Sequence, residues 1–315
     1  LHRLLIIEQN PESYRQILQK EIPDLEIYLL EDVKKDPGLI ATLDIFLAGK
    51  VDGKFPEELL KPASRLQWIQ STLAGVDHIV RSPFLRDEIL LTRVGGVFGR
   101  FMAEYVLGYL LYLVLRIAYV IENQKKAHWE PFMPGTLEGR VMGILGLGEI
   151  GSEIARKAKE FGMKVLGLKR TAGHYPYVDR LFLESQLSEF LPQVDFLVIT
   201  VPLTPRTQGM IRAQELRLMK RDAYLINIAR GAVVREEDLI QALEENWIAG
   251  AILDVFEREP LPKESRLWNL KNVIITPHIS GPDDPIRVSQ VFCENYRRFR
   301  AKESLHYLVD KHRGY

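Results

Sequence analysis

The apolar run Val141 to Leu145 ends in Gly146-Leu147-Gly148-Glu149-Ile150-Gly151, and the helix-spaced SEIARKAKEF follows without a gap. Few folds accept a strand that turns this tightly into a helix. In a nucleotide-binding βαβ unit the first glycine permits the turn, the second lets a pyrophosphate approach the backbone, and the third lets helix and strand pack closely. The helix N-terminus then offers unpaired N–H groups to the anion. Alone, the motif also allows a structural turn or another ligand such as S-adenosylmethionine; its strand-turn-helix-strand setting favours a dinucleotide.

The next strand, Lys164 to Leu168, ends where NAD-binding units place an Asp or Glu on the ribose hydroxyls, about twenty residues past the glycines. Lys169, Arg170 and Thr171 stand there instead. Lys and Arg only donate hydrogen bonds, and both carry positive charge, so neither replaces that acid. Arg grips a phosphate bidentately, Lys adds a point charge and Thr a hydroxyl donor. The strand end therefore predicts NADP(H) in preference to NAD(H), against the plainer reading of a solvated basic strand end.

Apolar runs alternate with helix-spaced segments along most of the chain, the pattern of open parallel sheets covered by helices. LLIIEQ, EIYLL, DIFLAG, LQWIQ and ILLTR read as five strands; VMGILGLG, MKVLGLK, DFLVITVP, AYLINIA, AGAILDVF and NVIITPH read as six more. Between the two series lie the flexible GGVFG and a long helix from about Phe101 to Lys126. After His278, ISGPDDP reads as a hinge, and IRVSQVFCENYRRFRAK as a helix crossing back to the first domain. The predicted fold class is α/β, with two Rossmann-like, doubly wound parallel-sheet domains and a cleft between them. A discontinuous, flavodoxin-like substrate-binding domain takes residues 1–95 and 286–315, and an NADP-binding Rossmann domain takes residues 96–285.

Forty-two basic residues balance 42 acidic ones, so no nucleic acid or anionic membrane is expected as partner. The run Tyr105 to Leu115, closed by Arg116, has about half the length of a membrane span and reads as a buried helix. The long apolar helix exceeds what one domain face needs, which predicts a homodimer interface. The single cysteine, Cys293, excludes an intrachain disulfide and fits a reducing, cytoplasmic setting, where it serves as apolar filler. The chain opens on Leu1 rather than Met, which leaves room for an earlier start or a removed targeting segment.

Three loops that follow strands of the second series, NIARGAVVREEDL, LDVFEREPLP and TPHISGPDDP, carry Arg230, Glu259 and His278. Singly, each has an ordinary explanation: a strand-end cation, a loop charge, a structural histidine. Together, at the carboxyl edge of an open sheet beside a nicotinamide, they suit reduction of a 2-keto acid. Arg230 would hold the carboxylate and His278 would donate a proton to the keto oxygen. A carboxylate beside the imidazole favours its protonated form, which makes Glu259 the orienting partner. His78, by contrast, reads as a residue that packs or caps beneath its loop.

These segments, with STLAGVDHI and GVFGRFMAEYVLGYLL, stand in an order that resembles the D-isomer-specific 2-hydroxyacid dehydrogenases, and among them the glyoxylate/hydroxypyruvate reductases, over nearly the whole chain. The resemblance implies Arg230, Glu259 and His278 as the catalytic trio. It implies that backbone N–H groups of Ala74 and Gly75 bind the substrate carboxylate and that Leu73 lines the side-chain pocket, with Arg230 and His278 also meeting the substrate. The cofactor contacts expected are Gly146, Gly148, Glu149, Ile150, Lys169, Arg170, Thr171, Pro202, Ile228, Ala229 and Asp254, the last near the nicotinamide carboxamide; no metal is expected. Trp129 has two readings: an anchor for its irregular segment, or the aromatic residue that related reductases insert from a partner subunit. Ser280-Gly281-Pro282 departs from the usual small-residue run after the histidine, and the missing strand-end acid sets the chain apart from NAD-dependent phosphoglycerate dehydrogenases. The expected reaction is NADPH-dependent reduction of glyoxylate or hydroxypyruvate to the 2-hydroxy acid. A reductase of bulkier 2-keto acids and a dinucleotide-sensing corepressor are the alternatives.

Overall fold

The computed structural model describes residues 2–315, so the reading attached to Leu1 lies outside the described residues. The chain divides into two compact units, the residues through Val97 together with Asp283–Tyr315, and Phe98–Pro282. Each is built on one sheet.

In the first unit the chain runs β1 (Arg3–Ile7), α1 (Pro11–Glu21), β2 (Glu26–Leu29), α2 (Leu30–Lys35), β3 (Ile45–Ala48), β4 (Trp68–Ser71), α3 (Asp77–Val80) and β5 (Leu90–Thr92). The strands lie in the order β2-β1-β3-β4-β5, and every pairing is parallel. All four residues of β3 and of β4 are buried, as expected for parallel strands covered on both faces.

The second unit continues with α4 (Gly99–Val114), α5 (Ile117–Lys125), β6 (Val141–Leu145), α6 (Glu149–Glu160), β7 (Lys164–Lys169), β8 (Arg180–Leu183), α7 (Leu187–Phe190) and β9 (Phe196–Ile199). It closes with α8 (Ala213–Leu218), β10 (Tyr224–Asn227), α9 (Glu236–Glu244), β11 (Gly250–Leu253) and β12 (Val273–Ile275). Its seven parallel strands lie in the order β12-β11-β10-β9-β6-β7-β8, so the order reverses between β6 and β9. Open α/β sheets bind ligands at such a reversal, outside the carboxyl ends of the strands. The sequence reading gives six of these strands. It misses β8 because this edge strand buries only Phe182 fully and shows no continuous apolar run.

Helix α6 buries Gly151, Ile154, Ala155 and Ala158, a helical spacing that puts all four on one face. The adjacent α4 buries Met102, Ala103, Val106, Leu107 and Leu110. The single helix expected over Phe101 to Lys126 is instead two, bent by 57°. Arg116 takes a left-handed φ of 52° at the break, and its guanidinium lies over the rings of Tyr119 and Phe132 at 4.5 and 5.1 Å. Helix α5 has no fully buried residue. No single helix among the described residues is long and apolar enough to cross a membrane.

The last helix, α10 (Pro285–Ala301), returns to the first unit. Asp284 caps it, accepting the Arg287 N–H at 3.0 Å, and Pro285 fits the first turn, where no N–H partner is needed. Phe292 stacks on Trp68 of β4 with centroids 5.2 Å apart, and Asn295 bonds Gln70 at 2.9 Å. Truncating Phe292 to alanine would cost about 3–5 kcal/mol. On the same helix Cys293 is buried, and burial pushes its thiol up to about 11, so it stays protonated at neutral pH.

Candidate functional site

At the reversal of the second sheet, the glycine turn leaves β6. Gly146 has a φ of 104°, in the region where side chains are strained, and its carbonyl accepts the Thr200 hydroxyl at 2.6 Å. A Cβ on Gly151 would lie 2.0 Å from the Gly146 oxygen, so the helix start packs on the turn only with glycine there. A Cβ on Gly148 would meet nothing within 4 Å. The middle glycine thus faces open space at the first turn of α6, where Glu149 is exposed and Ile150 half-buried.

Lys169 ends β7 and turns back on this loop. Its ammonium donates to the Leu147 carbonyl at 3.1 Å and lies 4.4 Å from the centre of the Tyr175 ring. Arg170 and Thr171 are exposed beyond it. The strand end therefore divides its labour, with Lys169 bracing the glycine turn and the next two residues facing solvent.

Beyond β9, Pro202 is exposed, and its carbonyl accepts the Thr207 hydroxyl at 2.6 Å. Beyond β10, Asn227 organises the arginine loop: its side chain accepts the Ala229 N–H at 3.1 Å and donates to the Arg230 carbonyl at 3.0 Å. Ile228 is buried, and Arg230 is half-buried with its guanidinium donating to the Ala229 carbonyl at 2.8 Å. Gly231 follows, where a Cβ would fall 1.9 Å from the Phe256 carbonyl carbon. That close approach brings the arginine loop against the loop after β11.

Asp254 follows that strand, fully buried. Its Oδ1 accepts the Thr276 hydroxyl at 2.5 Å and the Ile279 N–H at 2.8 Å, and its Oδ2 accepts the Ser280 N–H at 2.9 Å. The carboxylate thus holds the loop on both sides of His278, which has a left-handed φ of 55°. Glu259 reaches the same place from the β11 loop. Its Oε1 accepts the Phe256 N–H at 3.1 Å, and its Oε2 lies 2.8 Å from His278 Nδ1. The geometry is that of a histidine oriented by a carboxylate. Among the described residues, no group of three or more His, Cys, Asp or Glu is arranged to hold a metal ion.

The substrate loop of the sequence reading follows β4 in the first unit. Ser71 accepts the Leu73 N–H at 3.1 Å, and the Leu73 carbonyl accepts the Val94 N–H at 3.2 Å. The N–H groups of Ala74 and Gly75 have no hydrogen-bond partner among the described residues. His78 lies on α3, its ring edge-to-face with that of Phe55 at a centroid distance of 6.1 Å, and Trp129 is exposed. Sequence reasoning passes over Asn227, Thr200 and Thr276. The signal for the last two was their position at the end of an apolar strand, where a hydroxyl finds backbone or carboxylate partners.

A family model for the D-isomer specific 2-hydroxyacid dehydrogenase, NAD binding domain, matches residues 107–280. A glyoxylate reductase of Thermococcus gammatolerans is 36% identical over 304 residues, covering 93% of this chain and 88% of that protein. Among solved structures, a D-isomer specific 2-hydroxyacid dehydrogenase family protein from Aeromonas salmonicida superposes with a TM-score of 0.90 at 37% identity, covering 98% of this chain and 99% of that one. An NADPH-dependent glyoxylate/hydroxypyruvate reductase from Sinorhizobium meliloti, in complex with NADP and sulfate, gives 0.91 at 30% identity and covers all of both chains.

Proposed function

This chain belongs to the D-isomer specific 2-hydroxyacid dehydrogenases, and we propose that it reduces glyoxylate and hydroxypyruvate to the corresponding 2-hydroxy acids with NADPH. The observation that carries this reading is the 2.8 Å pair of His278 and Glu259 on the same sheet edge as the glycine turn. The open space beside Gly148 at the head of α6 suits a pyrophosphate. The exposed Arg170 and Thr171 suit the extra phosphate of NADP, in a place where no acid stands to hold an unphosphorylated ribose.

When bound, the nicotinamide cofactor supplies a hydride to the keto carbon. His278, its Nδ1 turned to Glu259, gives the proton on Nε2 to the keto oxygen, so that hydride and proton together complete the alcohol. Glu259 fixes the orientation of the ring through that bond. Arg230 binds the substrate carboxylate through its guanidinium, and the loop after β4 offers the N–H groups of Ala74 and Gly75 to an anion. Leu73 limits the side chain that fits. The relatives named as glyoxylate reductases support small keto acids as substrates. The exposed Val120 and Ile121 on α5 support a homodimer, for which a concentration-independent monomer mass in solution would be contrary evidence.

The test is a substrate panel with NADPH: glyoxylate, hydroxypyruvate, pyruvate and phenylpyruvate. The reading expects the highest kcat/KM with the first two. Fastest turnover of phenylpyruvate would transfer the assignment to bulkier keto acids, and tight NADPH binding without any turnover would transfer it to a dinucleotide sensor.

A further inference from the structure

We infer that Tyr105 is a positioning residue for the acid/base loop, acting from α4 through Thr276 and Asp254 on the backbone around His278; the inference rests on the assignment of His278 as proton donor. The Tyr105 hydroxyl lies 2.6 Å from Thr276 Oγ1, and Thr276 donates to Asp254 Oδ1 at 2.5 Å. A threonine hydroxyl has one proton. With that proton on Asp254, Tyr105 is the donor in the first bond, and the chain runs in one direction, Tyr105 to Thr276 to Asp254. From the other side Asp254 accepts the N–H groups of Ile279 and Ser280.

His278 sits inside this clamp with its φ of 55°. A non-glycine residue keeps that conformation only where its neighbours hold it. The Asp254 network is what holds it here, and Tyr105 is its outer end. Tyr105 is half-buried, while the residues that plug α4 into its core are Met102, Ala103, Val106, Leu107 and Leu110. Its ring packs on that of Tyr109, one turn along the helix, with centroids 4.7 Å apart. Burial holds the phenol well above the ordinary tyrosine range, so it remains a donor across the pH range of an assay.

The test compares Tyr105→Phe, Thr276→Val, Thr276→Ser and the double variant Tyr105→Phe/Thr276→Val. Tyr105→Phe removes one hydroxyl, and the expected loss in kcat for glyoxylate reduction is roughly 3- to 10-fold, the range of one intramolecular hydrogen bond, with KM for glyoxylate changed less than about twofold. Thr276→Val should lose at least as much and Thr276→Ser less. The double variant should be no slower than Thr276→Val alone, because both changes cut the same chain. Hydrogen–deuterium exchange of the segment 276–280 should accelerate in Tyr105→Phe, and this readout needs no substrate. If the wild type turns over none of the keto acids, the functional reading fails while exchange still decides the positioning role. Wild-type kcat and wild-type exchange in Tyr105→Phe, or losses that multiply in the double variant, would overturn the inference.

Discussion

The two sheets present different chemical groups at their carboxyl edges. After β4 the first unit offers main-chain N–H groups, those of Ala74 and Gly75, while its hydroxyls turn inward, Ser71 to the Leu73 N–H and Thr72 to Glu8. The second unit offers side chains, Arg230, Glu259 and His278, on loops tied down by side-chain-to-backbone bonds from Asn227 and Asp254. An edge that works through its backbone depends on loop shape and tolerates changes of side chain. An edge that works through side chains fails when one functional group is removed.

The sharpest break of that contrast is His278→Ala. Loss of a general acid should lower kcat roughly 100- to 10,000-fold, with NADPH affinity retained, as read by cofactor fluorescence titration. Next comes the strand end, where two neighbouring cations should behave differently. Arg170→Gln should cut the NADPH-to-NADH ratio of kcat/KM by about tenfold, the effect of a charged hydrogen bond. Lys169→Met should weaken both cofactors alike, because Lys169 braces the Leu147 carbonyl; a selective loss of NADPH in that variant would return Lys169 to the phosphate.

On the backbone-presenting edge a side-chain change should alter selectivity and leave chemistry intact. Leu73→Ala should raise the phenylpyruvate-to-glyoxylate ratio of kcat/KM by about tenfold, on the scale of methylene discrimination. An unchanged ratio would remove Leu73 from the pocket.

The smallest effect concerns Glu8 beneath this loop. Burial raises its carboxyl above the ordinary glutamate value of 4.5, with Asp283 adding repulsion, against the lowering bonds from Thr72 and the Gln9 N–H. The folded chain therefore binds more protons than the unfolded one between the unfolded and folded pKa values. Stability falls as pH rises from about 4.5 through that interval and stays lower above it. Glu8→Gln should flatten this part of the Tm profile by about 2 °C, read by calorimetry from pH 4 to 8. An identical slope in both proteins would show that Glu8 does not contribute it.

Much of the fold is legible in the sequence because parallel strands buried on both faces must be continuous apolar runs. The exceptions have physical causes. Strand β8 is an edge with one fully buried residue, and the break at Arg116 is a left-handed residue that composition does not announce. In the glycine turn, two of the three glycines answer a local steric demand that residue type alone expresses: a contact at 2.0 Å at Gly151, a positive φ at Gly146. The pairing of Glu259 with His278 follows from the chemistry two loops could share. By contrast, the Tyr105 bond to Thr276 joins residues 171 apart, and no local pattern encodes it. Nor does the sequence show Lys169 turned back on Leu147, because a lysine can reach a phosphate or a carbonyl with equal ease.

The central claim is NADPH-dependent reduction, and its most direct test is kcat/KM for NADPH and for NADH with glyoxylate, followed at 340 nm. The account predicts a preference for NADPH of about tenfold or more, the effect of at least one charge-assisted bond to the 2′-phosphate. Equal efficiency with NADH would contradict it and reduce Arg170 and Thr171 to a solvated strand end.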